Sequence, residues 1–281
     1  MELKKIGVAG FGTMGSEIAL LAAIAGFDTI AYDAYAPAFE ANVPRVGKLL
    51  RVLQRNLDDA GREAVLARLH TTPDSSALHD CDLVIEAVIE DFAAKEELLS
   101  AVGKGCKPET ILATNTSSLG ITRLAATCGR PERFIGLHFF NPPSQMSLVE
   151  VVPGLLTSQE IVPTAMEFVT RIGKKPILLR KETPGFIVNR VLMAMAVEAM
   201  ALVEQGIGSP QEVDEALRRG AGWPLGPFKL MDLVGLDVFL SACEGLYREL
   251  GEAKFRPPFM LKQQVEAGRL GRKSRAGFYD Y

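Results

Sequence analysis

A glycine-rich turn between a short apolar strand and a helix is the feature that most limits how this chain can fold. The turn and the first helical residues are Gly10, Phe11, Gly12, Thr13, Met14 and Gly15. In such a turn the first glycine allows a tight bend. The second lets the backbone approach a pyrophosphate, and the third lets the helix pack on the strand. Phosphates then bind the unpaired N–H groups at the helix start. The pattern predicts a dinucleotide-binding α/β unit.

The acidic residue after the second predicted strand identifies the cofactor more closely. Residues 29–32 form this strand, and Asp33 follows it directly. A carboxylate at this point accepts hydrogen bonds from the adenosine ribose and would repel a 2′-phosphate. We therefore predict that the chain binds NAD rather than NADP. The alternative is a glycine-rich turn in an unrelated α/β domain.

The composition is that of an ordinary globular enzyme. Of the 281 residues, 48% are hydrophobic and 23% are charged, and the net charge of −3 argues against broad nucleic-acid binding. The four cysteines lie far apart, which indicates neither a metal centre nor a disulfide framework but the thiols of a reducing compartment. The first strand starts close to Met1, and the apolar runs are too short to span a bilayer. We expect a cytoplasmic protein without membrane or nucleic-acid partners.

Strand and helix patterns alternate through the first two-thirds of the chain. This alternation predicts a Rossmann-type, doubly wound and mostly parallel sheet over residues 1–183, with one long amphipathic helix over residues 36–59. Strand patterns end at Thr183-Pro184-Gly185, and residues 184–281 are expected to form a smaller all-α domain. Within it, residues 191–203 are apolar nearly all round, so this helix should be buried on most sides.

Three polar clusters follow predicted strands in the first domain. They are Glu90 with Lys95, Asn115-Thr116-Ser117-Ser118, and the segment from His138 to Pro143 that contains Asn141. In open α/β sheets, ligands bind beyond the carboxyl ends of the strands. The alternative for each cluster is a loop of turn-forming residues. Three such clusters together predict a ligand site at this edge of the sheet.

His138 is the candidate general base. It ends an apolar strand and precedes two phenylalanines, which can shield its imidazole from water. Glu150 lies within the apolar strand at residues 148–152, and a buried carboxylate is costly unless it is paired. A turn at the two prolines between them could bring Glu150 to the imidazole, fixing its tautomer and stabilising its charged form. The alternative is a core histidine that donates to a backbone carbonyl.

Two further features have open interpretations. Asn189 lies in an apolar helix start, where it either ties the helical domain to the sheet or points into a ligand cleft. Lys48, Arg51 and Arg55 fall on one face of the long predicted helix, where they either bind an anionic ligand or are solvated.

The chain resembles a known family, the L-3-hydroxyacyl-CoA dehydrogenases, and among them the short, single-function bacterial 3-hydroxybutyryl-CoA dehydrogenases. The resemblance runs nearly end to end. It rests on the stretches GFGTMGSEIA, VIEAVIED, ATNTSSL, RFIGLHFFNPP, LVEVV, TPGFIVNR, WPLGPFKLMDLVGLDV and GRLGRKSRAGFYDY. It implies reversible oxidation of the 3-hydroxyl group of an acyl-CoA while hydride passes to NAD.

The resemblance also implies roles for individual residues. His138 would be the general base and Glu150 its orienting partner, while Ser117 and Asn189 would hold the oxygens of the substrate. Asp33 would bind the adenosine ribose. The residues expected at the nicotinamide half of NAD are Glu90, Lys95, Ser117 and Asn141, with Lys273 near the cofactor. If the substrate is a CoA ester, the basic helix face of Lys48, Arg51 and Arg55 is the candidate site for its phosphates. The apolar helix at residues 191–203 predicts a homodimer through the helical domain, which the resemblance also suggests.

Two other functions are considered beside this one. A dehydrogenase of a free sugar acid could use the same fold, although HFFNPP argues against it. A non-catalytic, NAD-binding structural protein is the second alternative, and the complete set of Ser117, His138, Glu150 and Asn189 argues against that.

Overall fold

The computed structural model describes residues 2–281, which form two compact units. The first unit ends at Thr183, and the second runs from Pro184 to Tyr281. Each unit has its own cluster of buried apolar side chains. Each unit therefore has a hydrophobic core of its own.

An eight-stranded sheet forms the centre of the first unit. The strands are β1 Lys5–Ala9, β2 Asp28–Tyr32, β3 Leu69–Thr72, β4 Leu83–Glu86, β5 Ile111–Thr114, β6 Phe134–Phe139, β7 Leu148–Pro153 and β8 Lys175–Leu178. Their order across the sheet is β3-β2-β1-β4-β5-β6-β7-β8. Strands β1 to β6 run parallel to one another, whereas β7 is antiparallel to β6 and parallel to β8. The predicted doubly wound, mostly parallel sheet is confirmed.

Six α-helices accompany the sheet within the described part of the first unit. They are α1 Thr13–Ile24, α2 Pro37–Leu53, α3 Asp59–Leu66, α4 Phe92–Gly105, α5 Ile121–Ala125 and α6 Ile161–Arg171. Helix α1 is buried over most of its length, which explains why its sequence is made almost entirely of small and apolar residues. It packs between the sheet and the amphipathic α2, and so closes the core on that face.

The prediction of one long helix over residues 36–59 is wrong. Helix α2 ends at Leu53, and Gln54 already has a non-helical backbone (φ −119°, ψ 59°). The carboxylate of Asp58 then accepts the N–H of Gly61 and caps α3. Because an aspartate side chain satisfies the first N–H groups of a new helix, it favours a helix start over continuation of the preceding helix.

Strand β3 has no counterpart among the predicted strands. None of its four residues is buried, and it lies at the edge of the sheet. An edge strand that buries so little shows no clear apolar alternation, so its sequence resembles that of a loop.

The described residues of the second unit include five α-helices, which form its core. They are α7 Val188–Glu204, α8 Pro210–Gly220, α9 Pro227–Val234, α10 Leu236–Leu250 and α11 Phe259–Glu266. Single-turn 3₁₀ helices lie at Ala253–Phe255 and Arg272–Ser274. The predicted smaller helical domain is confirmed. Nowhere in residues 2–281 is there a helix with the length and apolar character needed to cross a membrane.

The prediction that residues 191–203 are buried on most sides is wrong for the single chain. Helix α7 buries only Met193, Ala196, Ala199 and Met200, and Val191 is 63% exposed. The four buried residues lie three to four positions apart and pack on α9 and α10. The remaining apolar side chains of α7 are at least partly exposed.

Candidate active site

The glycine turn has the geometry that a dinucleotide requires. Gly10 has a φ of +107° and donates its N–H to the carbonyl oxygen of Tyr32 at 2.7 Å. A Cβ atom on Gly15 would overlap the carbonyl oxygen of Gly10, whereas a Cβ on Gly12 would meet nothing within 4 Å. Gly12 therefore borders open space at the start of α1, next to Thr13 and Met14. That space fits a pyrophosphate at the helix N-terminus.

Asp33 links the turn to the end of β2. One carboxylate oxygen accepts the N–H of Phe11 at 2.7 Å, and the other accepts the N–H of Tyr35 at 2.9 Å. A carboxylate has about four lone-pair sites, so two remain for ribose hydroxyl groups. The side chain thus fixes the turn and still fits the ribose of an adenosine.

Glu90 joins the first two polar clusters. Its Oε1 accepts the hydroxyl group of Thr116 and the N–H of Ser117, both at 2.7 Å, and the hydroxyl of Ser117 at 3.1 Å. Burial alone would raise the pKa of Glu90. The charge of Lys95 and the hydrogen bonds from Thr116 and Ser117 outweigh burial and hold that pKa below its ordinary value. Glu90 is therefore ionised at neutral pH and orders the Ser117 loop.

Lys95 lies beneath this loop rather than on its surface. Its side chain is 1% exposed, and its Nζ lies 2.7 Å from Glu86 Oε1 and 3.2 Å from Glu90 Oε2. Glu86 is the last residue of β4 and also accepts the hydroxyl of Thr114 at 2.6 Å. The charge of Lys95 is thus committed to two carboxylates at the end of β4.

His138 and Glu150 face each other on neighbouring strands. They are paired in the antiparallel register of β6 and β7, and His138 Nδ1 lies 2.7 Å from Glu150 Oε2. Both residues are buried. Because the surroundings have a low dielectric constant, this contact is stronger than it would be in water. The pair holds the imidazole ring in one orientation.

Aromatic and amide groups complete the surroundings of the histidine. The ring of Phe140 lies 4.5 Å from that of His138, centroid to centroid. The N–H of Phe139 donates to the side-chain oxygen of Asn115 at 2.9 Å, which joins the second polar cluster to the third. Asn141 follows as an exposed residue and precedes a cis peptide bond to Pro142. All three predicted clusters therefore meet along one edge of the sheet.

Asn189 and Lys273 belong to the second unit. Asn189 is the second residue of α7 and is half-buried. Lys273 lies in the 3₁₀ helix near the C-terminus, with its Nζ 2.6 Å from Asp237 Oδ2. Neither is part of the cluster that the first unit forms by itself, and their roles stay predictions.

Comparison with known proteins identifies the family. The model for the NAD-binding domain of 3-hydroxyacyl-CoA dehydrogenase matches residues 5–183, and the model for the C-terminal domain of the same enzyme matches residues 185–281. The chain belongs to the 3-hydroxyacyl-CoA dehydrogenase family.

Relatives and solved structures agree with this assignment. The chain is 43% identical to a probable 3-hydroxybutyryl-CoA dehydrogenase of Bacillus subtilis, covering 100% of this chain and 98% of that protein. It is 41% identical to a 3-hydroxybutyryl-CoA dehydrogenase of Bradyrhizobium diazoefficiens, covering 99% and 96%. The crystal structure of (S)-3-hydroxybutyryl-CoA dehydrogenase from Ralstonia eutropha superposes with a TM-score of 0.96 at 38% identity, covering 100% and 99%.

Family membership confirms the predicted enzyme class, cofactor and fold. The chain is a 3-hydroxyacyl-CoA dehydrogenase, an oxidoreductase; its cofactor is NAD; and its fold is a Rossmann-type domain followed by a helical domain. The sequence motifs had indicated this family. The roles of the individual site residues are separate hypotheses.

The predicted basic face needs a correction in this dehydrogenase. Lys48 and Arg51 are exposed on α2, but Arg55 lies beyond the helix end at Leu53. There, the backbone carbonyl of Arg55 accepts a hydrogen bond from the guanidinium group of Arg62 at 3.4 Å. Because the chain leaves the helix at Gln54, the three side chains do not share one helix face.

Sequence reasoning missed two buried glutamates of the dehydrogenase. Glu86 contacts Lys95, as described above. Glu17 is a buried residue of α1 that pairs with Arg45 and accepts the N–H of Ser144 at 2.8 Å. The signal was available, since both acids interrupt apolar runs and a buried carboxylate requires a partner. That argument had been applied to Glu150 alone.

Proposed function

We propose that this dehydrogenase acts on short-chain L-3-hydroxyacyl-CoA, with His138 as its general base. The observation that supports this best is the buried 2.7 Å contact between His138 Nδ1 and Glu150 Oε2. The preference for a short chain is inferred from the relatives, since those 41–43% identical over nearly their full length are named as 3-hydroxybutyryl-CoA dehydrogenases.

The reaction requires a proton to leave the 3-hydroxyl group as its carbon becomes a ketone. Bound NAD supplies the hydride acceptor. Because Nδ1 of His138 is bonded to Glu150, proton exchange with the substrate takes place at Nε2. Glu150 stabilises the imidazolium that results. In the reverse direction, the same Nε2 proton returns to the oxygen of the 3-oxo group.

Other residues of the first unit would bind and orient the reactants. The glycine turn with Thr13 and Met14 would hold the pyrophosphate, and Asp33 the adenosine ribose. Ser117 and Asn141 follow β5 and β6, where they would contact the nicotinamide half and the substrate oxygen. Glu90 would reach the cofactor directly, and Lys95 would act through it. In the second unit, Asn189 would hold a substrate oxygen and Lys273 would approach the cofactor.

The first test is loss of NADH absorbance with acetoacetyl-CoA. His138→Gln should lower kcat by at least about a hundredfold, because the base that moves the proton is absent. The matched control is His70→Gln, which changes an exposed histidine on β3 and should retain full activity. Fast turnover by the His138 variant would contradict the proposal, and so would an inactive wild-type enzyme that still binds NADH.

Glu150→Gln tests the partner of the base. A glutamine amide that donates toward Nδ1 favours the tautomer with its proton on Nε2, which cannot accept the substrate proton. We expect kcat to fall about ten- to a hundredfold while the KM for NADH stays close to that of the wild type. If instead only the melting temperature falls, Glu150 serves packing rather than catalysis.

Lys48 and Arg51 are the candidates for binding the CoA phosphates, with Arg55 as a further cation outside the helix. Substitution of the first two by alanine should raise the KM for acetoacetyl-CoA without changing the KM for NADH. The increase should shrink at high ionic strength, because salt screens contacts between exposed charges. An unchanged KM would mean that these side chains are merely solvated.

A homodimer through the second unit is also part of the proposal. Apolar side chains exposed there include Val191, Ile207, Leu233 and Phe259, each more than half exposed. A largely apolar groove of about 580 Å³ runs beside Val191, Ala194 and Phe255. Light scattering should give twice the chain mass of 30.4 kDa. Val191→Arg should give monomers, and a monomeric wild type at working concentration would contradict the dimer.

We place the enzyme in the cytoplasm. All four cysteines are buried thiols, which suits a reducing compartment. Fractionation of the producing cell, with the enzyme followed by its activity, tests this location.

A further inference from the structure

Glu86, Lys95 and Glu90 form a charge network at the end of β4. Glu86 and Lys95 are each 1% exposed, whereas the side chain of Glu90 is 37% exposed. One ammonium group thus lies between a buried carboxylate at 2.7 Å and a partly exposed one at 3.2 Å. The network connects the interior of the sheet to the loop that carries Ser117.

The inner carboxylate is held in place from several directions. Besides Lys95, Glu86 Oε1 accepts the N–H of Val88 at 2.7 Å, and Oε2 accepts the hydroxyl of Thr114 at 2.6 Å. Val88 lies in the loop that follows β4, and Thr114 is the last residue of the neighbouring strand β5. Since three donors fix the carboxylate, Glu86 cannot follow Lys95 if the lysine is pulled outward. It is the fixed end of the network.

The outer carboxylate is held by the loop that it orders. Glu90 Oε1 accepts hydrogen bonds from Thr116, Ser117 and Ser118, and its Oε2 faces Lys95. The position of Glu90 is therefore a balance between these donors on one side and the ammonium on the other. Any change in the charge that Lys95 presents shifts this balance.

Stability alone is a weak reason for such a network. Removing two carboxylates and an ammonium from water is costly, and apolar side chains of similar volume often replace buried ion pairs without loss of stability. The contacts above indicate a different purpose, namely a defined position for Glu90.

We propose that Glu86 is a positioning residue for the cofactor-binding loop. By holding Lys95 in the interior, it sets the distance between Lys95 and Glu90, and so keeps Glu90 on the donors of the Ser117 loop. This inference rests on the roles proposed above for Glu90 and Ser117. In this proposal Glu86 contacts neither the substrate nor the cofactor. It acts through Lys95.

Glu86→Gln removes the charge and keeps the shape. Its amide oxygen can still accept Lys95 and Val88, and its amide group can donate to the hydroxyl of Thr114, so the fold should persist. Lys95 is then balanced by Glu90 alone and draws it off the loop. We expect the Kd for NADH to rise about tenfold and kcat to fall about tenfold, with the KM for acetoacetyl-CoA within about threefold of the wild type.

Asp82→Asn is the matched control beside the same strand. Asp82 precedes β4 at its opposite end and pairs with Lys107 at 2.6 Å, so this variant also removes an acid from an acid–lysine pair. Its melting temperature should fall, while its Kd for NADH and its kcat stay at wild-type values. A merely structural role for Glu86 would make the two variants behave alike, and that result would overturn the inference.

A double-mutant cycle tests the route through Lys95. If Glu86 acts through the lysine, Glu86→Gln combined with Lys95→Met should be no worse in NADH binding than Lys95→Met alone. Additive effects would show that Glu86 acts independently and would contradict the inference. Should Glu86→Gln fail to fold, Glu86→Asp keeps the charge but withdraws the carboxylate from Lys95, and should weaken NADH binding in the same direction. No change in that variant would also count against the inference.

The proposed function and this inference fail in different ways. If Ser117→Ala and Glu90→Gln leave turnover and NADH binding intact, the roles proposed for those residues are wrong. If those two variants are impaired while Glu86→Gln matches Asp82→Asn, the proposed function stands and only the role of Glu86 is wrong.

Discussion

Three glutamates of the first unit are buried, and each has a basic partner. Glu17 pairs with Arg45, Glu86 with Lys95, and Glu150 with His138. A buried carboxylate left alone would be strongly destabilising, so each position requires its partner at a defined distance. Two of these pairs lie at the ends of β4 and β6, beside the polar clusters of the candidate site.

Gly12 and Gly15 of the first turn have different surroundings, and substitution by alanine should therefore affect them differently. Gly15→Ala should destabilise the protein by more than about 2 kcal/mol, because its Cβ would overlap the carbonyl oxygen of Gly10 and neither backbone segment can move easily. Gly12→Ala should leave stability unchanged, since nothing lies within 4 Å, but should raise the Kd for NADH at least about tenfold.

Urea unfolding and NADH fluorescence titration of both variants distinguish the two roles. The contrast is the essential result, because each glycine serves as the control for the other. Equal effects of both substitutions on stability would mean that the turn does not have the described geometry. Unchanged NADH binding in Gly12→Ala would mean that the open space beside it holds no part of the cofactor.

The C-terminal segment, residues 277–281, is held against helices α8 and α9 by two buried aspartates. Asp232 of α9 accepts the N–H groups of Phe278 and Tyr279, each at 2.9 Å. Asp214 of α8 accepts the hydroxyl of Tyr279 at 2.7 Å, and a Cβ on Gly277 would overlap the carboxylate of Asp232. The last residues thus pack as part of the helical core.

Removal of Asp232 should therefore release this segment. Asp232→Ala leaves two partly buried N–H groups without this acceptor, and we expect a loss of about 3 kcal/mol in the free energy of unfolding. Asp280→Ala is the control, because this neighbouring acid is 86% exposed and should leave the urea midpoint nearly unchanged. Similar midpoints for the two variants would show that the segment contributes little to the fold.

For the whole molecule, buried and partly buried carboxylates make stability depend on acid pH. Burial would raise the pKa values of Glu90 and Asp82, but their lysine partners and hydrogen bonds outweigh it and lower both pKa values. A carboxyl group with a lowered pKa in the folded state binds protons more readily when unfolded. Its contribution to stability is complete above its unfolded pKa and is lost as the pH falls through the folded value.

Stability should accordingly fall as the pH drops below about 4.5, near the ordinary pKa of a glutamate. Urea midpoints measured from pH 7 to pH 3 should decrease more steeply for the wild type than for Glu90→Gln, which has no proton to bind there. Parallel curves for the two proteins would show that the pKa of Glu90 is not lowered by folding.

Local sequence patterns determined much of this molecule. The glycine turn with Asp33, the alternation of strands and helices, and the family motifs were sufficient for the fold class, the cofactor and the reaction. Such features can be read locally because they depend on neighbours in the chain: a backbone conformation that only glycine adopts easily, or a periodicity within one element. His138 and Glu150 were also found together, since a carboxylate in an apolar strand requires a partner.

Only the tertiary structure decided the remaining features. The break after Leu53, the edge strand β3 and the exposed face of α7 depend on capping and on how much neighbouring elements cover. The enclosure of Lys95 between Glu86 and Glu90 depends on where α4 packs beneath the loops at the ends of β4 and β5. Contacts of this kind join residues through the register of a sheet and the packing of a helix on it, and no local pattern in the sequence specifies that geometry.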